Sequence, residues 1–196
     1  MRERKSNRLR NYDYSESGYY FITIRTNNRE ECFGRVEGDE MHLNEFGEIA
    51  RNFWAGIMIH FKCVGIDEFS VMPNHVHGIL IIEEVGTAYM RSLQDRTKML
   101  LSKIIQQYKA SVTRKINSLQ HDFHFGWQKS FYDHIIRNEE SLNNIRHYIR
   151  HNPLKWESDI ENIDRSSSHK NCSDYYEEVI QGHWKIRKKQ EVEPCD

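Results

Sequence analysis

The stretch at residues 71–80, VMPNHVHGIL, constrains the fold most because it sets two histidines inside an apolar strand. A Pro-Asn turn signal precedes the histidines and aliphatic residues follow them, which is the pattern of a β-strand. Since successive strand side chains alternate between faces, His75 and His77 share one face and Gly78 leaves a place without bulk on the other. Two neutral imidazoles in register form half of a divalent metal site. The alternative is a histidine pair on a solvated sheet face.

The composition predicts one folded domain that works in a reducing compartment. The chain has 196 residues and 38% hydrophobic content, which suits a single core with a tail. Its four cysteines form no C-x-x-C pair, so neither disulfides nor a structural zinc site is expected. The sequence has no apolar run of membrane-spanning length and no export signal. We therefore expect a cytoplasmic protein with no membrane partner.

Charges of opposite sign are separated along the chain although the formal net charge is only -1. A basic arm occupies residues 1–16 and a second basic segment spans residues 91–117, whereas acidic residues gather at 30–48 and 157–164. Local basic surfaces are typical of polyanion binding, although a solvated helix face or a disordered end has the same composition. The candidate DNA-binding residues in these two segments are Arg4, Arg8, Arg10, Lys103, Lys109 and Arg114.

The order of predicted elements indicates an α+β fold. Residues 18–26 read as a first strand, a hairpin turns at residues 37–39, and Asn44 caps a helix with apolar residues at Ile49, Phe53, Ile57 and Phe61. A second main strand covers residues 63–72 and leads through the turn to the histidine strand. The basic segment then continues as a helix with one apolar stripe. We predict a ferredoxin-like antiparallel sheet with helices packed on one face and a C-terminal helix across the other.

That C-terminal helix is predicted from residues 127–156, WQKSFYDHIIRNEESLNNIRHYIRHNPLKW. Asn138 is a good N-cap, and Pro153 disfavours helical geometry at Asn152, so Tyr148 lies in the final turn. Residues four apart on a helix are neighbours, so the Tyr148 phenol and the Asn152 amide can address one point. In the alternative interpretation Tyr148 only anchors the helix and Asn152 is a plain C-cap. Side chains suited to phosphate surround the pair: Arg146, His147, Arg150 and His151.

Together the two stretches resemble the histidine–hydrophobic–histidine ("HUH") single-tyrosine transposases, in the version carried by REP-associated tyrosine transposases. VMPNHVHGIL is similar to their metal-binding strand and HYIRHNPLKW to their tyrosine helix. The resemblance extends over residues 8–156 and includes RLRNYDYS, GYYFITIRT, SKIIQQYKASVTRKIN and FYDHIIR. It implies a transposase domain at residues 1–156, followed by a polar extension at 157–196 whose role the family does not indicate.

The resemblance also implies a mechanism. Tyr148 becomes the nucleophile that forms a 5′-phosphotyrosine link with single-stranded DNA, and His75, His77 and Asn152 become ligands of Mg²⁺ or Mn²⁺. The expected DNA partner is a hairpin of a REP-like palindrome, and the site is completed either within one chain or by exchange of the tyrosine helix in a homodimer. Because a phenol has a pKa of about 10, Tyr148 needs the field of the metal or a proton acceptor. The sequence offers three unranked acceptors: His134, His147 and His151.

Two other functions remain open from the sequence. A metal-dependent phosphoesterase would use His75 and His77 to activate water, so it would tolerate Tyr148→Phe and form no covalent adduct. A nonenzymatic DNA-binding protein derived from a transposase would retain the motifs without using them. An assay for a covalent protein–DNA adduct separates all three.

Overall fold

The structure, a computed structural model, describes residues 17–83, 100–120, 123–164 and 171–184. The basic arm with Arg4, Arg8 and Arg10, and the predicted start of the basic helix at residues 91–99, lie outside these ranges. Within them the chain forms, in order, β1 (Gly18–Arg25), β2 (Gly34–Glu37), β3 (Glu40–Leu43), α1 (Glu45–Ala55), α2 (Ile57–His60), β4 (Val64–Met72), β5 (His75–Ile82), α3 (Leu100–Asn117), β6 (Tyr132–Ile136), α4 (Glu139–His151) and α5 (Cys172–Ile180).

A four-stranded antiparallel sheet organises the molecule in the order β4-β5-β1-β6, and β2 and β3 form a separate hairpin. This confirms the predicted ferredoxin-like α+β fold, with the histidine strand β5 inside the sheet. Strand β6 was not predicted as a strand, because its five residues, YDHII, are few and do not alternate between polar and apolar. It pairs with β1, so that Phe21 lies opposite His134.

One face of the sheet is apolar and is covered by α1 and α3. Tyr20, Ile22 and Ile24 of β1 point into this face and are fully buried. On β5 the same face holds Gly78, where an added Cβ would lie 2.2 Å from the Trp54 ring of α1. The missing side chain, which the sequence pattern predicted as a place without bulk, therefore lets α1 pack directly on the sheet.

Helix boundaries follow the predicted caps, with one correction. The Asn44 side chain accepts a hydrogen bond from the Gly47 amide at 3.0 Å, and the Asn138 side chain accepts one from the Ser141 amide at 2.8 Å. The prediction of one continuous helix from Asn44 to Phe61 is wrong, because α1 ends at Ala55 and the short helix α2 follows. None of the helices among the described residues is long and apolar enough to cross a membrane.

The opposite face of the sheet is covered by α4 and α5. Phe21 and Ile79 project from the sheet into a second core with Ile145 of α4 and Tyr176 of α5. A 3-10 helix, Pro153–Ser158, turns the chain back under α4 before α5 begins. Ile160 and helix α5, which lie in the extension whose role the sequence analysis left open, thus complete this second core.

Candidate active site beneath the tyrosine helix

The two histidines of β5 lie side by side on the face covered by α4. Their partners on β1 are Arg25 for His75 and Thr23 for His77. Both histidines are fully buried, and their Nε2 atoms are 2.6 Å apart. The two nitrogens therefore address one point, as predicted from the H-x-H spacing.

Hydrogen bonds at the other ring nitrogen set the orientation of each imidazole. The Asn74 amide donates to two backbone carbonyl oxygens, at 3.2 and 2.8 Å, which turns its oxygen toward His75 Nδ1 at 2.7 Å. His75 therefore carries its proton on Nδ1 and presents a lone pair on Nε2. His77 Nδ1 lies 3.0 Å from the Thr23 hydroxyl, which can donate or accept. Burial lowers the pKa of both histidines well below the ordinary value, so both rings are neutral, as metal ligands must be.

Tyr148 projects from the last full turn of α4 onto this pair. Its hydroxyl lies 2.9 Å from His77 Nε2 and donates to Asp159 Oδ2 at 3.0 Å. The side chain is fully buried. Burial raises the pKa of the phenol well above 10, and the carboxylate of Asp159 adds to this effect. The enclosed arrangement therefore holds Tyr148 in its neutral form.

Asn152 follows α4 and supplies the third candidate ligand. Its Nδ2 donates to Asp159 Oδ2 at 2.7 Å, whereas its buried Oδ1 has no hydrogen-bond partner among the described residues. A buried carbonyl oxygen without a partner is costly unless it binds something, so this atom fits a metal ligand. No group of three or more His, Cys, Asp or Glu side chains in the described ranges is arranged to hold a metal. The candidate donor set is thus the two imidazoles and the Asn152 amide.

Two carboxylates that the sequence analysis did not single out complete the site. Asp159 is fully buried, and burial, followed by the repulsion of Glu161, raises its pKa to about 6. Glu161 is also fully buried and accepts two hydrogen bonds from the Arg25 guanidinium, at 2.5 Å each. The one available signal was their place in an acidic segment directly after the tyrosine helix, and acidic segments are usually solvated.

Helix α5 and the residues after it enclose the site. The Tyr175 hydroxyl donates to Asp159 at 3.2 Å and the Tyr176 hydroxyl to Glu161 at 2.8 Å. The Trp184 ring packs edge-on against Tyr148, with 5.1 Å between ring centroids. All four predicted site residues have 0% exposure as a result: His75, His77, Tyr148 and Asn152.

The predicted DNA-binding arginines of α4 are already engaged. Arg146 pairs with Asp67 of β4 at 2.6 Å, and Arg150 pairs with Glu68. Phosphate would have to replace these carboxylates, so contact with DNA stays a prediction for both arginines.

The three predicted DNA-binding residues of α3 differ in burial. The Lys109 ammonium donates to the Gln128 carbonyl at 2.5 Å, and burial lowers its pKa to about 8. Lys103 and Arg114 are exposed. Because α3 packs on the apolar face, the sheet separates their surface from Tyr148.

The three histidines considered as proton acceptors lie away from the Tyr148 hydroxyl. His134 is on β6, with β1 between it and the histidine strand. His147 and His151 lie on the outer side of α4, with their rings stacked at 4.2 Å. The hydrogen bonds of the Tyr148 hydroxyl run instead to His77 and Asp159.

Comparison with known proteins shows what this chain is similar to. No protein-family model matches the chain. It is 39% identical to an uncharacterized protein of Haemophilus influenzae over 173 residues, which are 84% of this chain and 96% of the relative. It is 26% identical over 147 residues to a second Haemophilus influenzae protein, named "Putative REP-associated tyrosine transposase", covering 73% of this chain and 74% of that protein.

Among solved structures, a REP-associated tyrosine transposase bound to a REP hairpin has the same fold. The TM-score is 0.53 at 20% identity, over 96% of this chain and 94% of that one. The chain is thus similar in sequence to one relative that carries the name of the REP-associated tyrosine transposases and shares the fold of a solved member, and the two motifs that resemble this family meet at one site.

Proposed function

We propose that this protein cleaves and rejoins single-stranded DNA through Tyr148. The observation that carries the proposal is the position of the Tyr148 hydroxyl, 2.9 Å from an imidazole nitrogen that itself lies 2.6 Å from a second one. Nucleophile and candidate ligands come from distant parts of the chain, and a purely structural tyrosine would not require two paired imidazoles beside its hydroxyl.

In the proposed reaction the Tyr148 oxygen attacks the phosphorus of a phosphodiester. Tyr148 gives up its proton, the bond from phosphorus to the 3′ oxygen breaks, and that oxygen takes up a proton, which leaves a 5′-phosphotyrosine and a free 3′-hydroxyl with no net change in protons. A divalent ion, Mg²⁺ or Mn²⁺, held by His75, His77 and Asn152, would neutralise charge on the phosphate oxygens. Attack of another 3′-hydroxyl on the phosphotyrosine would rejoin the strand without ATP.

The proposed substrate is single-stranded DNA that folds into a hairpin, such as a REP-like palindrome. This rests on the relative solved with a REP hairpin and on the exposed cations of α3. Attraction between such cations and phosphates releases counterions, so affinity should fall steeply with salt. Neutralising Lys103 and Arg114 together should weaken binding and flatten the salt dependence.

DNA access requires the cover of the site to move. His75, His77, Tyr148 and Asn152 are fully buried, so a phosphodiester reaches them only when α5 and Trp184 shift. That cover is held by polar contacts, which water and a phosphate can replace, and by apolar packing of Tyr176 and Val179 in the second core.

The test is an adduct assay with a labelled single-stranded hairpin and Mn²⁺ or Mg²⁺, resolved on a denaturing gel. Tyr148→Phe removes one hydroxyl, so the covalent band should fall by at least about 10³-fold while hairpin binding survives. His77→Ala should also abolish the band. Tyr132→Phe, which changes a tyrosine of β6, is the matched control and should keep it. A band that persists in Tyr148→Phe and disappears in Tyr132→Phe would overturn the assignment.

The enclosed site favours a second candidate, a DNA-binding protein that retains the motifs without chemistry. It predicts hairpin binding by the unaltered protein with no covalent band in either metal. A cleaved strand without an adduct, unaffected by Tyr148→Phe, would instead indicate the phosphoesterase.

A further inference from the structure

Asp159 connects the nucleophile to the amide ligand. Its Oδ2 accepts hydrogen bonds from the Tyr148 hydroxyl at 3.0 Å, from Asn152 Nδ2 at 2.7 Å and from the Tyr175 hydroxyl at 3.2 Å. Its Oδ1 accepts from the Glu161 amide at 2.7 Å. Both carboxylate oxygens are therefore fixed, and the side chain is fully buried.

The contact with Asn152 decides which end of that amide faces the site. An amide carries its nitrogen and oxygen on one planar carbon, so a nitrogen held by Asp159 sends Oδ1 in a different direction. A flipped amide would set its oxygen against the carboxylate, which is repulsive. The oxygen that Asp159 turns away is the buried Asn152 atom without a hydrogen-bond partner among the described residues.

The contact with Tyr148 acts on the nucleophile in the same way. With its proton directed at Asp159, the phenol presents the lone-pair side of its oxygen to His77 Nε2 at 2.9 Å. One carboxylate oxygen thus contacts both the candidate nucleophile and the candidate amide ligand.

We propose that Asp159 is a positioning residue of the site, which aims the Asn152 oxygen at the metal position and the Tyr148 oxygen at the substrate. The inference rests on the proposed function, because it assigns Asp159 a task for that metal and that nucleophile. Residues that orient ligands typically change metal affinity by about 10- to 100-fold when removed.

The test is Mn²⁺ binding by the full chain, measured by titration calorimetry without DNA. Asn152→Ala and Asp159→Ala should each weaken Mn²⁺ binding about tenfold. The double variant should be no weaker than Asn152→Ala alone, because Asp159 acts through that amide. Tyr175→Phe removes another donor to the same oxygen and is the matched control; it should bind Mn²⁺ like the unaltered protein.

Circular dichroism of each variant separates positioning from folding. Asp159→Asn keeps the side-chain shape and replaces Asp159→Ala if the alanine variant does not fold. Asp159→Asn should also weaken Mn²⁺ binding, since its one carbonyl oxygen cannot accept from both the Glu161 amide and Asn152.

The outcomes distinguish the two proposals. No Mn²⁺ binding by the unaltered protein would overturn the metal site and the role of Asp159 together. Normal Mn²⁺ binding by folded Asp159 variants would overturn the positioning role alone. The positioning role would also be overturned if adding Asp159→Ala to Asn152→Ala weakened Mn²⁺ binding by the same factor again.

Discussion

The two faces of the sheet bury different kinds of side chains. The face under α1 and α3 is an apolar core, in which Trp54 and Ile22 are fully buried among other hydrophobic side chains. The face under α4 and α5 buries His77, Asp159 and Glu161 together with Tyr148. Both faces are closed by apolar packing, but the second also depends on buried hydrogen bonds and an ion pair.

This difference separates stability from function. Apolar burial contributes stability without directional requirements, whereas a buried polar group is favourable only when every partner is in place. The polar face therefore concentrates the side chains able to do chemistry and also depends on a few individual contacts. Four substitutions test that contrast through the free energy of unfolding in urea.

The largest effect is expected from Glu161→Ala on the polar face. It leaves the Arg25 guanidinium without the carboxylate that accepts its two hydrogen bonds. Removing one partner of a buried ion pair costs about 3–5 kcal/mol, and the lower end applies because the Arg25 side chain is 17% exposed. Glu161→Gln, which keeps an acceptor for Tyr176, should lose less. A loss below about 1 kcal/mol, typical of an exposed pair, would contradict this account.

A smaller effect is expected from Gly78→Ala on the apolar face. The new methyl group would lie 2.2 Å from the Trp54 ring, so packing should lose about 1–3 kcal/mol. Trp54→Phe removes the clashing ring atoms, and the double variant should be less destabilised than the two single losses combined. If the two losses in the free energy of unfolding were strictly additive, the new methyl group would be accommodated by a shift of helix α1 and not at the Trp54 ring.

Arg150→Ala should change stability by less than about 1 kcal/mol. Its partner Glu68 is 29% exposed and Arg150 itself 57% exposed, so water already solvates the pair. Any measured loss should vanish in about 1 M salt, where the Debye length is about 3 Å. The loss in Glu161→Ala should persist there, which gives a direct comparison of the two kinds of ion pair.

The last prediction is a change of pH dependence at Lys109. Its pKa falls from 10.5 to about 8 through burial, so between these values the unfolded chain binds one more proton than the folded one. Stability should therefore rise with pH across that range. Lys109→Met removes this contribution, so the unaltered protein should gain stability relative to the variant between pH 8 and 10.5. If stability changed with pH in the same way in the unaltered protein and in Lys109→Met, the Lys109 ammonium would be solvated in the folded protein.

The sequence predicted the features that repeat or have local causes. Alternation placed His75 and His77 on one face, and the caps Asn44 and Asn138 positioned two helices. Helix α4 ends at His151 as expected, but the predicted reason is wrong: Asn152 before Pro153 keeps helical backbone angles, φ -58° and ψ -40°, and the chain continues as a 3-10 helix. Strand β6 was missed because it is short. The break between α1 and α2 was missed because the apolar spacing continues across it.

Asp159 and Glu161 could not be identified as buried from the sequence. Nothing local distinguishes them from the other acidic residues at 157–164, and such segments usually face water. Their burial depends on Arg25, Tyr148 and Asn152, the first of which is 136 residues from Glu161 along the chain.

By itself, the sequence determined the antiparallel sheet, the shared face of the two histidines and the tyrosine helix, because side-chain periodicity and capping act over a few residues. Only the tertiary structure decided that the last described segment closes over the histidines, which hydrogen bonds hold the imidazoles, and which end of the Asn152 amide Asp159 holds. These features depend on contacts between residues far apart in the chain, and a local pattern of residue types does not encode such contacts.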